Sequence, residues 1–416
     1  MKKLSKHSIG MGDRFAHQAS WQLKAVIDAE QKGFSITPVW NKSNREHTTI
    51  GSQPDDTRKA VKQAISDMGW KKPYFVDADH INLDTVDKFM DSSDFFTIDV
   101  ASYIGKKGNI AEEDAFMRKM ESYTGTFSIP GIQKPVTITE KDLETICDQY
   151  LFAAYMAGET YSKIAATKGV GNFITEVSMD EVPNPQTPVE LFFILAMLAN
   201  YKIPVQTIAP KFTGRFNKGV DYVGNTNTFA EEFEANLMVI DYAVKTFGLP
   251  EELKLSIHSG SDKFSIYDSI RDLTQKHNKG FHLKTAGTTW LEEVIGLAMA
   301  GGEALEFVKD LYGKAIQNIE KLCAPYADVI DINESKLPTA ETVNNWSGEA
   351  FANALRHIPG HPEYNPNLRQ LIHVGYKLAA DRIEIYNTLL KQHADIVGQC
   401  VYENIYDRHL KRLLNL

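Results

Sequence analysis

The stretch Leu255-Ser-Ile-His-Ser-Gly-Ser-Asp-Lys263, with Gly280-Phe-His-Leu-Lys-Thr285 soon after it, decides how the chain is read. Each is a short apolar run that ends in histidine and then in polar and cationic residues. A buried strand followed by reactive side chains has this form. It places chemistry at the carboxyl end of a parallel β-strand, where α/β folds carry their sites. Tyr74-Phe-Val-Asp-Ala-Asp-His80 and Phe173-Ile-Thr-Glu176 repeat the pattern, so four strand ends point to one convergent polar site.

Working outward, β-like runs fall at residues 8–9, 35–39, 74–77, 95–100, 172–176, 204–208, 254–258 and 281–284. Segments with apolar residues at helical spacing lie between most of them, at 16–32, 57–68, 188–201, 229–246 and 263–276. Eight strands alternating with helices predict an α/β chain folded as a (β/α)8 TIM-type barrel. Residues 1–290 are expected to form the barrel core that carries the active site. Residues 101–148 interrupt the rhythm after the fourth strand and are expected to be an insertion able to cover the site. Residues 291–416 read as an added C-terminal helical region packed on the barrel. Gly10-Met-Gly12 and Gly169-Val-Gly171 both lack the third glycine of a dinucleotide fingerprint, and there is no phosphate-binding P-loop.

The chain has 416 residues, 43% of them hydrophobic, which is ample for a sizeable core. A net charge of −9 with no basic block argues against nucleic acid and anionic membrane as partners. Cys147, Cys323 and Cys400 are far apart, so neither a disulfide framework nor a thiolate zinc site is expected, and a reducing cytoplasm fits. The N-terminus has no apolar signal core, and the longest apolar run, residues 191–198, is too short to span a bilayer. The oligomeric state stays open, a homo-oligomer included.

His258 and His282 end adjacent predicted strands. Neighbouring strands lie about 4.8 Å apart, so two such imidazoles can share one metal ion, and His80 would complete a three-histidine face. Imidazole suits a divalent transition metal: zinc, nickel, cobalt or manganese. Asp79 and Glu176 are the expected proton-transfer pair, with Asp77 next in line. In a straight strand Asp77 and Asp79 share one face and His80 the other, so a turn near Ala78 would decide whether they meet. Lys211, Arg215, Lys218 and Asp221 lie in a polar loop after the sixth strand. Of the cations gathered at the mouth, Lys211, Arg215, Lys263 and Lys284 are expected to bind an anionic substrate, a carboxylate or a phosphate, helped by backbone N–H groups of Ser259-Gly-Ser261. Arg369, His373 and Lys377 have the spacing of one helix face, either a solvated stripe or a second wall of the pocket.

With these residues in view, the chain resembles the tagaturonate epimerase family of bacterial hexuronate catabolism, over most of its length. The resemblance is carried by Ser8-Ile-Gly-Met-Gly-Asp-Arg-Phe15, Asp77-Ala-Asp-His80, Lys211-Phe-Thr-Gly214, Lys218-Gly-Val-Asp-Tyr-Val-Gly224, Ser256-Ile-His-Ser-Gly-Ser-Asp-Lys-Phe264 and His282-Leu-Lys-Thr-Ala-Gly-Thr-Thr-Trp290. It implies metal-dependent interconversion of D-tagaturonate and D-fructuronate, with activity on fructose and tagatose in some members. Asn225 departs from the family pattern, which leads one to expect an acidic residue there. Two other readings fit the residues: a metal-dependent aldolase or isomerase for a related ketose or sugar acid, and a sugar-acid-binding barrel without catalysis.

Overall fold

A computed structural model describes residues 1–258 and 261–416. Eight parallel strands close into a barrel in chain order: β1 (His7–Gly12), β2 (Ile36–Ser43), β3 (Phe75–Ile81), β4 (Phe95–Asp99), β5 (Ile174–Ser178), β6 (Thr207–Ala209), β7 (Lys254–Ile257) and β8 (Phe281–Ala286), which pairs back with β1. The expected barrel is therefore found, with every expected strand present. Outward-facing residues such as Val76, Ala78, Phe96, Ile208, Leu255 and Leu283 are buried under the surrounding helices.

Those helices are α1 (Ala19–Gln31), α2 (Pro54–Asp67), α3 (Glu140–Lys168), α4 (Pro188–Asn200), α5 (Thr226–Phe247), α6 (Phe264–Lys276) and α7 (Thr289–Ala300). Local chemistry sets their starts. Thr139 and Thr187 form capping boxes with Asp142 and Glu190, and Pro188 occupies the first turn of α4. Asn225, the departure from the family pattern, caps α5 by accepting from the backbone N–H groups of Asn227 and Thr228. After β3 a short 3₁₀ turn, Val86–Phe89, stands in for a helix.

The segment after β4 holds a helix, Ile110–Met120, and a hairpin of Gly125–Phe127 with Val136–Ile138, and leads into α3. It does not cover the barrel mouth. Phe116, Met120, Ile129 and Ile138 join the core formed under α3, α4 and α5, and the Tyr123 ring sits 5.1 Å from that of Phe192. The apolar side chains pull this segment onto the outer flank, which corrects the expectation of a lid.

Beyond α7 the chain is helical and wraps the barrel's side. It includes α8 (Gly302–Gln317), α9 (Pro366–Val374), α10 (Ile383–Gln392) and α11 (Ala394–Glu403). Helix α11 packs closely on α1, because a Cβ at Gly398 would fall 1.9 Å from the Trp21 indole nitrogen. Among the described residues, no helix is long and apolar enough to cross a membrane.

One buried carboxyl joins these layers. Glu293 of α7 accepts from the Tyr386 hydroxyl of α10 at 2.7 Å and from the Gln18 amide at 3.1 Å. Burial, with Asp13 adding to it, pushes this carboxyl from 4.5 up to about 8. A group whose folded pKa is raised contributes stability below its unfolded pKa and loses it as pH rises through the folded one. Wild type should therefore lose stability between pH 5 and 8 at up to about 1.4 kcal/mol per pH unit from this group. Glu293→Gln should flatten that slope in urea unfolding. Parallel pH profiles for the two proteins would overturn this reading.

Candidate active site

The carboxyl ends of the strands open into a cavity of about 300 Å³ bordered by Arg14, Asp79, His80, Asp99, Asp180 and His258. Beneath it the barrel interior is charged. The Lys284 ammonium, on β8, lies 2.6 Å from Asp77 Oδ2, 3.0 Å from Asp79 Oδ1 and 3.2 Å from Glu176 Oε1, and also donates to Thr97 Oγ1. Burial would discharge this lysine, yet Asp77, Asp79 and Glu176 hold it well above the ordinary lysine range. Three carboxylates exceed one ammonium, and the excess falls on Asp77. Burial pushes its carboxyl up to about 7 against the opposing pull of Lys284.

His258 follows β7. Its Nε2 lies 2.8 Å from Glu176 Oε1 and its Nδ1 lies 3.1 Å from Asp180 Oδ1. His80 Nδ1 lies 3.1 Å from Asp99 Oδ2. The His80 and His258 rings approach to 5.1 Å between centroids. Burial lowers the affinity of both imidazoles for a proton, but the carboxylates prevail: Asp180 and Glu176 raise His258 to about 9, and Asp79 and Asp99 raise His80 well above 6.5. Such a place favours positive charge. Ligand atoms of His80, Asp180 and His258 all lie within 4.8 Å of one another, as do those of His80, Asp99 and Glu181. Two imidazoles and a carboxylate form a donor set suited to a divalent transition metal.

A model of the tagaturonate epimerase family matches residues 1–415. The chain belongs to that family of sugar-acid epimerases. A tagaturonate/fructuronate epimerase of Thermotoga maritima is 27% identical over 426 aligned residues, covering 98% of this chain and 80% of the relative. Two solved forms of the fructuronate-tagaturonate epimerase UxaE from Cohnella laeviribosi, one complexed with glycerol and one native, share the fold. Each has a TM-score of 0.81 over 99% of this chain and 82% of its own, at 24% and 23% identity.

In this family member the structure brings His80 and His258 together but leaves His282 apart. His282 sits two residues before Lys284 on β8, roughly 6.6 Å deeper along the strand. Its Nδ1 lies 2.9 Å from Ser8 Oγ, and its ring packs 5.4 Å from Phe95. Burial lowers it to about 3, so it stays neutral. The structure therefore does not assemble the three-histidine set: the side chains it brings within reach of one another are His80, His258 and Asp180, without His282. His80 reaches the mouth because its own φ is +50°, so the break in strand alternation that decides the matter falls at His80 and not at Ala78. Asp79 borders the cavity, whereas Glu176 is fully buried behind it, engaged by Thr97, Thr207, His258 and Lys284.

The expected cations are mostly committed to the protein. Lys263 donates to the carbonyls of Asn217, Val220 and Ser261 at 2.9, 2.7 and 3.0 Å, which uses all its protons. Lys211 donates to the Val182 carbonyl, and exposed Arg215 pairs with Asp331 at 3.0 Å. Lys284 is neutralised in the interior, whereas Lys211 and Arg215 border an adjoining cavity with these protein partners already in place. Of Ser259-Gly-Ser261, Ser259 and Gly260 lie outside the described residues. Of the Arg369/His373/Lys377 stripe, Arg369 is fully buried, His373 borders the cavity, and Lys377 falls in the next helix, Tyr376–Ala380. Asp99, Asp180, Arg14 and Glu46 were missed. Asp99 ends β4 and Asp180 follows β5 by two residues, so the strand-end pattern could have found both.

If Lys284 is an interior counterion, Lys284→Met should cost about 3–5 kcal/mol in urea unfolding, since removal of one partner strands buried charge. A variant with wild-type stability and only a raised KM would instead make Lys284 a substrate contact.

Proposed function

We propose that this protein is a metal-dependent epimerase that interconverts D-tagaturonate and D-fructuronate. The observation that carries the reading is the group His80, His258 and Asp180 at the barrel mouth, in a chain of this family. His80, His258 and Asp180 would hold the metal, which is zinc, manganese, cobalt or nickel by donor chemistry. When bound, such an ion supplies Lewis acidity for the substrate ketone and its neighbouring hydroxyl. The partner is a small sugar acid, and the cytoplasm is the proposed compartment.

The two uronates carry the ketone at C5 and differ at C3, whose hydrogen is β to the ketone. Abstraction of an α proton cannot invert that centre. Cleavage between C3 and C4 can: it gives the enediolate of dihydroxyacetone and tartronate semialdehyde. The aldehyde then presents its other face and the bond re-forms. Asp79 supports this route by its position, because its carboxylate borders the cavity and Lys284 and His80 keep it ionised against burial. We assign it the C3 hydroxyl proton, taken before cleavage and returned after closure. Glu176 and Asp99 then have a different task. They accept N–H groups from His258 Nε2 and His80 Nδ1, which fixes each ring's tautomer and orientation.

Purified protein should convert tagaturonate to fructuronate, lose that activity on chelation and regain it with added metal. In deuterated water the product should carry no deuterium at C3 or C4, because both hydrogens stay on carbon throughout; deuterium at either position would favour stepwise enolisation. Accumulated three-carbon products would indicate an aldolase, an aldose an isomerase, and no turnover a binding barrel.

Three variants divide the labour. His258→Ala should lose both metal and turnover. Asp79→Asn should keep metal while turnover falls by roughly 10²-fold or more. Glu176→Gln should lower metal affinity or activity by about 10- to 100-fold, the usual cost of losing a carboxylate behind a ligand. Full metal occupancy and full turnover in Glu176→Gln would remove that role.

A further inference from the structure

We propose that Lys218, supported at the rim by Arg45, is the group that receives the substrate's carboxylate and so sets the preference for a uronate over a neutral ketohexose. This rests on the epimerase reading and names the anion site within it.

A second cavity, of about 530 Å³, adjoins the first. Both are bordered by Lys218 and Arg45 and also by Asp180 and His258, so the two cations and the metal-binding group share one boundary. A six-carbon acid held with its ketone at one end must place its carboxylate at the other. The nearby cations differ in what they are free to do. Arg14 pairs with Glu46 at 2.7 Å and donates to the His373 carbonyl at 3.3 Å. Lys42 donates to the Arg14 carbonyl at 2.6 Å and to Ser52 Oγ at 2.7 Å. Lys211, Arg215, Lys263 and Lys284 are committed as described above. Among the described residues, no acceptor lies within hydrogen-bond reach of the half-buried Lys218 ammonium. Among the described residues, the exposed Arg45 guanidinium stacks on the face of Tyr326, 5.0 Å from its centre, and has no carboxylate partner.

The backbone around Lys218 is held more firmly than a surface loop requires. Its own N–H donates to the Val329 carbonyl at 2.8 Å. The carbonyls of Asn217 and Val220 accept from Lys263, and that of Gly219 accepts from Arg369 at 2.5 Å. Two buried cations are thus spent on positioning one unpaired cation. Burial is the largest cost of charge at Lys218, Arg45 and Arg14 add repulsion, and Glu181 and Glu46 offset part of it without reaching hydrogen-bond distance. An anion bound there relieves all three penalties, whereas a neutral sugar relieves none. Preorganisation of this kind turns charge complementarity into affinity.

The test uses the metal-loaded enzyme, with tagaturonate as substrate and galactonate, a six-carbon acid without the ketone, as a binding probe in calorimetry. Lys218→Gln should weaken galactonate binding and lower kcat/KM for tagaturonate by about 10- to 150-fold, mostly through KM, the range for one charge-assisted contact. Lys218→Arg should retain most of both. Arg45→Gln should have a smaller effect, up to about fivefold for an exposed charge. Lys211→Gln and Arg215→Gln should leave galactonate affinity at the wild-type value. Should Lys218→Gln fail to fold, by thermal unfolding, the behaviour of Lys218→Arg and the weakening of galactonate binding by salt in the wild type decide the matter. A wild type that does not epimerise tagaturonate defeats the epimerase reading itself. A wild type that does, beside a folded Lys218→Gln with undiminished galactonate affinity, defeats only this anion site.

Discussion

An ammonium at the centre of a closed sheet has no water to reach, and most of this site follows from that constraint. Lys284 must be neutralised where it stands, and Asp77, Asp79 and Glu176 do so from β3 and β5. Room for the lysine's strand comes from β1, where a Cβ at Gly10 would meet the Lys284 Cα and Asn41 Oδ1, each at 3.3 Å. Bulky apolar filling of such a barrel is present here as a small cluster of Leu4, Val39, Phe75, Phe95 and Ile174. Above it, three acids surround one base, and Asp99 and Asp180 add two more. The mouth therefore carries an excess of carboxylates, and these raise the proton affinity of His80 and His258 against the opposing effect of burial.

The barrel was legible because its strands combine two signals, a buried run of the right length and a reactive residue at its end. Those signals survive even in β6, only Thr207–Ala209 in the structure. Strand ends are harder to read. Alternation assigns Asp79 and His80 to opposite faces, and a single backbone change overturns it. With φ at +50°, His80 leaves the pleat and joins Asp99 and His258 at the mouth. No residue type announces that change, since histidine is not glycine. Depth is equally hidden: His282 and Lys284 share a face, and nothing in their spacing says that one packs on Phe95 while the other meets the carboxylates.

The cations were legible as a gathering and illegible as individuals. Lysine against a carboxylate leaves a charge pattern, but lysine against a backbone carbonyl leaves none. Lys211 and Lys263 are held by carbonyls of Val182, Asn217, Val220 and Ser261, acceptors that every residue type carries. Only the folded arrangement separates these structural cations from Lys218, which stands in the same polar stretch. Arg14, in the loop after β1, pairs with Glu46 in the first turn of the short helix Asn44–Ile50 after β2, so neither residue's neighbours in the chain point to the other.

Precision at the mouth depends on chain segments far from it. Asp262, left-handed at φ +61° and fully buried, takes Arg369 at 2.5 Å and His357 at 3.3 Å, both from the C-terminal helical region. His409 accepts the backbone N–H groups of Asp262 and Gly287, each at 3.2 Å. Arg369 also donates to the carbonyls of Gly219 and Leu355 and to Thr288 Oγ1. Loops after β6, β7 and β8 are thereby tied to one guanidinium that a lysine could not replace, since its fork reaches four acceptors at once. Loops give a barrel its chemistry but are its least constrained parts. Here the added helices remove that freedom, and the strained, buried Asp262 is tolerated because its partners over-determine it. The residues that border the cavity are thus short stretches of strand end and loop, while the means of holding them still extends to His409, near the end of the chain.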